Sequence, residues 1–321
     1  MRAVLCEKLG PIESLVVREV DDLRAAAGQV VVDVKAAGAN FPDILIVQGL
    51  YQMKPPLPFS PGSELAGVVR EVGAGVTDVA VGDRVMAFSG FGAFAEQAVL
   101  APAQCARMPD DMPFEVGGSL LLTYCTSHHA LVDRGRLARG ETLLVLGAAG
   151  GVGLAAIQIG KALGARVIAA ASTEEKRAFC KAQGADEVID SSGGDLKAAF
   201  KSKGPVDVVY DPVGGEQSEA ALRALRPRGR FLVIGFASGT IPKIPLNLVL
   251  LKECEVVGVQ WGVFAFREHA AQRALVDDLI RMWREGAVKP HVHRTYSLDE
   301  VPQALGDLAA RRVMGKAVIA P

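Results

Sequence analysis

The chain has 321 residues, half of them hydrophobic and 22% charged, with 35 basic and 36 acidic side chains and a net charge of −1. That length suits two domains with sizeable cores, and the near-neutral balance excludes general affinity for nucleic acid or an anionic membrane surface. No apolar run approaches the length of a transmembrane helix, and the N-terminus MRAVLCEKLGPIE lacks the apolar core of a signal peptide.

Residues 1–118 read as β-rich. Val30–Val34 and Ala66–Val72 are β-branched runs, and the turns GAGV (73–76) and VGDRV (81–85) punctuate them. Short strands with Gly-rich turns suggest a small barrel or sandwich. The segment MKPPLPFSPG at 53–62 reads as loop, because its four prolines cannot sit in a ladder.

From 119 to 262 strand and helix patterns alternate. The strands are Thr142–Leu146, Arg166–Ala170, Glu187–Ile189, Val206–Tyr210, Arg230–Ile234 and Cys254–Gln260. The helices between them are Val152–Leu163, Glu174–Gln183, Asp195–Lys201 and Glu216–Leu225. Such alternation predicts a doubly wound α/β fold, a parallel sheet with helices on both faces. An amphipathic helix over 268–285 follows, and the tail KAVI at 316–319 is a strand. This strand is expected to return to the first domain. Residues 263–321 are therefore assigned to it, and the α/β domain becomes an insert.

The five cysteines (Cys6, Cys105, Cys125, Cys180, Cys254) are scattered and never spaced C-x-x-C. That argues against a disulfide framework or a structural zinc site and for a reducing compartment, with the cytoplasm as default.

The chemistry begins at LLVLGAAGGVG (143–153), where a strand meets glycines and a helix starts among them. Ala148, Gly150 and Gly153 occupy the G-x-G-x-x-G positions, and Gly147, Gly150 and Gly153 form a second frame. A glycine at 150 lets backbone approach a pyrophosphate, and the helix start offers unpaired N–H groups. The second strand runs into RVIAAASTEEKR, with no acid at 169–173. An acid there would hold an NAD ribose diol and repel a 2′-phosphate. Ser172 and Thr173 can instead donate hydrogen bonds to that phosphate, and Lys176 or Arg177 can supply charge, which predicts NADPH over NADH. Ser172–Glu175 also read as a helix cap. The loops at 211–215 and 235–239 leave the same sheet edge, where such folds bind ligands.

These residues bring a family into view. The chain resembles the zinc-independent quinone oxidoreductase branch of the medium-chain dehydrogenase/reductase superfamily. The likeness rests on AAGAN (36–40), QGLY (48–51), PGSELAGVV (61–69), VGDRV (81–85), AAGGVGLAAIQIGKALGA (148–165), YDPVGG (210–215) and the C-terminal MGKAVIAP. It implies a GroES-like β-barrel catalytic domain carrying an inserted Rossmann domain, with the active site in the cleft between them. Where zinc-dependent relatives carry G-H-E, this chain has Gly62-Ser63-Glu64. The cysteine expected near Asn40–Asp43 and the four-cysteine lobe expected after Phe88 are missing. The pairs His128/His129 and His291/His293 lack a third ligand at metal spacing.

Without a Lewis acid to acidify an alcohol, hydride transfer to an electron-poor acceptor is the easier chemistry. The resemblance therefore implies NADPH-dependent reduction of a quinone or an α,β-unsaturated carbonyl. It places Asn40 and Tyr51 beside the nicotinamide as catalytic residues, donating hydrogen bonds to the oxyanion, and Thr126 near the carboxamide. The cofactor set is completed by Ala149, Gly150, Gly151, Val152, Gly153, Ser172, Thr173, Lys176, Gly235, Phe236, Ala237 and Arg311 (or Arg312). The tyrosine that often stacks on the cofactor after the third strand is absent from Ile189-Asp190-Ser191. Two other readings stand beside this one: an enoyl- or acryloyl-CoA-type reductase and a non-catalytic NADPH-binding protein. The strand 254–260 at an open sheet edge, with the resemblance, predicts a homodimer.

Overall fold

The computed structural model describes residues 1–321, which divide into two compact units, Met1–Leu122 with Pro290–Pro321, and Thr123–Lys289. The first unit is built on a seven-stranded sheet. Its order is Val292–Tyr296, Lys316–Ile319, Val30–Ala39, Glu64–Val72, Arg84–Phe88 and Cys105–Arg107, with Gln97–Leu100 also pairing along Val30–Ala39. All pairings are antiparallel except that of Val292–Tyr296 with Lys316–Ile319. The β-branched run at 30–34 continues to Ala39 because small residues follow it. Val30, Val31, Val32, Ala36 and Ala37 are buried completely. Loop covers 53–62, as the prolines require.

The C-terminal strand does return to this unit. Ala317, Val318 and Ile319 pair antiparallel with Ala39, Gly38 and Ala37. Phe41–Val47 forms a short helix whose first turn holds Pro42, a residue whose missing N–H costs nothing there. It starts directly from the strand, so Asn40 and Asp43 lie where strand becomes helix.

The second unit holds a six-stranded parallel sheet in the order Glu187–Asp190, Arg166–Ala171, Thr142–Val145, Val206–Asp211, Leu225–Val233, Glu255–Gly258. The strand order reverses after Thr142–Val145, the position at which doubly wound sheets open a ligand crevice. Leu143, Leu144, Val145, Val167, Ile168, Val208 and Val209 are completely buried, as strands covered on both faces must be. Helix Gly151–Ala162 packs through Leu154, Ala155, Ala156, Ile157 and Ile159, all essentially inaccessible.

The boundaries differ from the sequence reading. Helix His269–Arg284, expected to belong with the returning segment, falls in the nucleotide unit. Its contacts explain this. Asp278 reaches His128 at 2.8 Å, and Gln272 accepts from the Trp261 indole and donates to Cys125 Sγ. The unit therefore runs to Lys289 rather than 262. The expected helix at 216–225 stops at Leu222, because Leu225 already begins a nine-residue strand. The last strand is Glu255–Gly258, shorter than expected, and it lies at the sheet edge. No helix is long and apolar enough to cross a membrane.

Candidate functional site

The nucleotide unit presents its ligand surface at the carboxyl ends of the strands. The glycine turn is pinned by backbone bonds from Leu146 N to Tyr210 O, Ala148 N to Ala170 O and Gly150 N to Gly147 O. Gly153 packs on that turn so closely that a Cβ would collide with Gly147 O and Ala148. At Gly150 a Cβ would meet nothing nearer than Gly147 O at 3.5 Å, so this face is open to a ligand. No side chain caps helix Gly151–Ala162, and its first turn presents the N–H groups of Gly151, Val152 and Gly153. A twelve-residue helix with an open start and positive dipole end fits a pyrophosphate.

The neighbouring loops are fixed from beneath. Asp211 is buried at the end of its strand and accepts from Val213 N, Gly214 N and Ser218 Oγ. Burial raises its pKa against those hydrogen bonds. Gly215 N, Ala237 N and Ser238 N bond across to Thr240 O, Pro212 O and Val213 O, tying the 212–215 loop to the 235–240 loop. Gly235, the partly exposed Phe236 and Ala237 thus sit on one braced ridge. Thr126 lies in a helix between two π-helical turns, 121–125 and 129–134. Its neighbour Ser127 bonds to Val152 O at 3.0 Å and Tyr210 Oη at 2.8 Å. That places the Thr126 turn against the first turn of the glycine helix.

After the second strand, Ser172 and Thr173 are exposed. Thr173 Oγ1 caps its helix by accepting from Lys176 N at 3.2 Å, so the capping and phosphate readings fall on the same residues. Arg177 is paired with Asp190 at 3.0 Å. Lys176 therefore stands beside a neutralised neighbour at the end of a strand without acids.

The barrel unit holds a cluster that the sequence reading did not assemble. Lys316 Nζ donates to Asn40 Oδ1 at 2.5 Å, Glu64 Oε1 at 2.9 Å and Ala39 O at 3.1 Å. Asn40 Nδ2 donates to Gly38 O and Glu64 Oε1, both at 3.0 Å. Glu64 Oε2 accepts from Leu122 N at 2.8 Å. The carboxylate fits because residue 38 is glycine. A Cβ there would lie 2.5 Å from Glu64 Oε1 and 2.6 Å from Gly118 O. Asp43 Oδ2 accepts from Asn40 N, and Ser63 Oγ donates to Asp43 Oδ1. Burial pushes the Asp43 carboxyl up to about 7, against the hydrogen bonds of Ser63 and Asn40.

This geometry corrects one expectation. Both amide hydrogens of Asn40 are taken, so its side chain has none to give an oxyanion. What it retains is acceptor capacity at Oδ1, held in orientation by Lys316. Tyr51 packs half-buried against the barrel core. Burial, and then the charge of Asp43, raise the pKa of its phenol, which stays protonated and able to donate at neutral pH. Arg311 stands in a left-handed conformation just past helix Val301–Ala309.

The histidines have other partners. His128 pairs with Asp278, and His129 lies 3.2 Å from Asp133 and stacks on Phe264. No group of three His, Cys, Asp or Glu side chains is placed to hold a metal ion.

Two family models match the chain. Residues 26–110 match "Alcohol dehydrogenase GroES-like domain", and residues 151–277 match "Zinc-binding dehydrogenase". Quinone oxidoreductase-like protein 2 of Rattus norvegicus is 36% identical over 99% of this chain and 91% of its own length. The Escherichia coli quinone oxidoreductase solved with NADPH is 30% identical, with a TM-score of 0.93 over the full length of both chains. A mycobacterial protein solved with NADPH is 32% identical, with a TM-score of 0.94 over both full chains. The chain belongs to the medium-chain dehydrogenase/reductase superfamily, among its quinone oxidoreductase-like members.

The buried pair yields a stability prediction. Lys316→Met strands the fully buried Glu64 carboxylate without its cation. Losing one partner of such a pair costs about 3–5 kcal/mol. Urea unfolding of the two proteins measures it, and a loss below about 1 kcal/mol, as for an exposed pair, contradicts the geometry.

Proposed function

We propose that this member of the superfamily is an NADPH-dependent, metal-free oxidoreductase that reduces a quinone or an α,β-unsaturated carbonyl. The observation that carries this reading is that one chain holds both an open, uncapped glycine helix and, in its other unit, a barrel cluster whose histidine position is Ser63. The first feature receives a dinucleotide, and the second offers no set of metal ligands. The solved relatives with NADPH bound support the choice of cofactor.

Bound NADPH supplies a hydride, that is, two electrons and one hydrogen. The remaining work belongs to the chain. The N–H groups of Gly151, Val152 and Gly153 receive the pyrophosphate, with Ala149 and Gly150 giving the backbone its close approach. Ser172, Thr173 and Lys176 meet the 2′-phosphate. Thr126, Gly235, Phe236 and Ala237 line the nicotinamide side, and Arg311 adds a positive charge. Asn40 Oδ1 accepts from the carboxamide. Tyr51 donates its phenolic hydrogen bond to the oxygen on which charge develops. With no metal ligands to hold a cation against a localised alkoxide, acceptors whose reduced anion is delocalised, a hydroquinone anion or an enolate, are favoured. The five buried, unbridged thiols fit a reducing, cytoplasmic setting.

The nucleotide unit is proposed to pair with a second copy of itself. The strand Glu255–Gly258 has one neighbour only, and its other edge is open. Next to it in sequence, helix Leu246–Lys252 exposes Leu246, Leu250 and Leu251 at 77–79%. An open edge close to bare leucines suits two-fold pairing, which closes the edge.

Three outcomes follow. Lys176→Ala weakens NADPH binding about 10- to 100-fold, the value of roughly 1.5–3 kcal/mol for a charge-assisted contact, and leaves NADH binding nearly unchanged. Fluorescence titration of both cofactors decides this, and equal wild-type affinities sink it. Deuterium on the nicotinamide C4 appears on the β-carbon of a reduced enone, turnover survives chelation, and Tyr51→Phe lowers turnover by about 10²-fold. Label lost to water, or activity abolished by chelation, rejects the mechanism; no NADPH oxidation with any quinone or enone favours the non-catalytic reading. Light scattering shows a dimer of the 33.7 kDa chain that Leu250→Glu with Val256→Glu dissociates, whereas a wild-type monomer at micromolar concentration removes the pairing.

A further inference from the structure

The second strand of the parallel sheet ends without an acid, but its neighbour does not. The strand Glu187–Asp190 runs beside Arg166–Ala171 in a register that sets Asp190 opposite Ala171. Ser172 and Thr173, to which the proposed reading gives the 2′-phosphate, follow Ala171 directly. Paired strands lie about 4.8 Å apart, so a carboxylate stands one strand away from the place where that phosphate is received.

The surrounding loop holds the acid there. Asp190 Oδ1 accepts from Ser192 N at 2.9 Å, Ser191 N donates to Ala171 O at 3.2 Å, and Gln217 Nε2 donates to Ser191 O at 3.3 Å. Arg177 belongs to the helix that Thr173 caps, and its side chain reaches back to the strand end. Its Nη1 pairs with Asp190 Oδ2 at 3.0 Å and donates to Ala171 O at 3.4 Å. The Ser192 hydrogen bonds, and then Arg177, hold the Asp190 carboxyl below the usual carboxylate range, so it is ionised at neutral pH.

Resting on the functional reading above, we propose that Asp190 tunes the cofactor preference: it competes with the 2′-phosphate of NADPH for the Arg177 guanidinium, and it holds discrimination against NADH below what Lys176 and Arg177 together allow. The acid that the second strand lacks is thus supplied, at a weaker position, by the third strand of the sheet domain.

Two effects of Asp190 oppose each other. By pairing with Arg177 it keeps a cation at the strand end, and it also sets a like charge beside the phosphate. The first effect is small, because the Asp190 side chain is 52% exposed and exposed pairs contribute little. The second is larger, because a phosphate monoester carries nearly two negative charges at neutral pH. A released guanidinium also offers the phosphate a fork of parallel donors, part of which the carboxylate now occupies. Repulsion therefore wins, and removing the Asp190 charge favours NADPH. NADH carries a hydroxyl at that position and has no charge on which either effect could act.

Binding measurements on the full-length protein test this. NADPH and NADH are titrated by fluorescence, and 2′,5′-ADP and 5′-AMP, which differ only in the 2′-phosphate, by calorimetry. Asp190→Asn keeps an acceptor for Ser192 N and should bind NADPH and 2′,5′-ADP about tenfold more tightly, with NADH and 5′-AMP nearly unchanged. Asp190→Ser should repeat the gain, and the gain should shrink at high salt. Arg177→Ala added to Asp190→Asn should return NADPH affinity to near the wild-type value. Unchanged or weaker NADPH binding in both Asp190 variants overturns the proposal. So does a gain that persists undiminished without Arg177, or an equal change for NADH, the mark of a residue that only shapes the loop. If neither the wild type nor the variants bind either cofactor, the functional reading fails and the proposal falls with it. A wild type that prefers NADPH by a ratio that both Asp190 variants leave as it was refutes the role of Asp190 alone.

Discussion

The barrel unit depends on one buried charge arrangement, the Lys316 ammonium held between Asn40, Glu64 and the Ala39 carbonyl. It joins residues far apart in the sequence, since Lys316 lies on the last strand and Glu64 on the fourth in chain order. Burying two charges costs several kcal/mol each, so the pair persists only when its hydrogen bonds are complete. They are complete here: Lys316 spends three donors, and both Glu64 oxygens accept. Small residues make the room, with glycine at 38 and 118 where a Cβ would strike Glu64 or Ala36 O. The pair fixes Asn40, and Asn40 fixes the start of the helix that carries Asp43.

The nucleotide unit solves a different problem by similar means. A surface that binds phosphate through backbone N–H groups cannot also cover them with its own side chains. Its polar side chains therefore work underneath. Asp211 gathers two loop N–H groups and a serine, and Ser127 ties the Thr126 turn to Val152 O and Tyr210. The turn is rigid without being filled, and the ordering cost falls on folding rather than on ligand capture.

The sequence showed the two architectures clearly because they rest on local patterns. The run LLVLGAAGGVG and the alternating strands and helices carry their own periodicity, and the sheet matches them to within a few residues. The limits of the nucleotide unit were hidden, because helix His269–Arg284 is placed by Asp278 and Gln272, contacts with no local signature. The charge cluster was half visible. Glu64 and Lys316 are each a lone charge opening an apolar strand, ELAGVV and KAVI, a position where burial demands a partner. Nothing in one sequence says that they are each other's partner, since 252 residues separate them. The spent amide of Asn40 was equally out of reach, because residue type reveals a donor and only geometry shows what already holds it.

That distinction bears on the proposed chemistry. A site that makes an anion usually spends a cation on it, but here the cluster's one ammonium is committed to a buried carboxylate. Freeing Lys316 for an oxyanion would strand Glu64, at a cost comparable to any gain. Such a site is better matched to acceptors that stabilise their own charge, and to a phenol that donates a hydrogen bond without giving up its proton. Quinones and conjugated carbonyls meet that condition, because their anions are delocalised before any protein group touches them. The proposed preference for such acceptors thus rests on where the chain has already used its positive charge, and it would link the stability of the barrel to the choice of substrate.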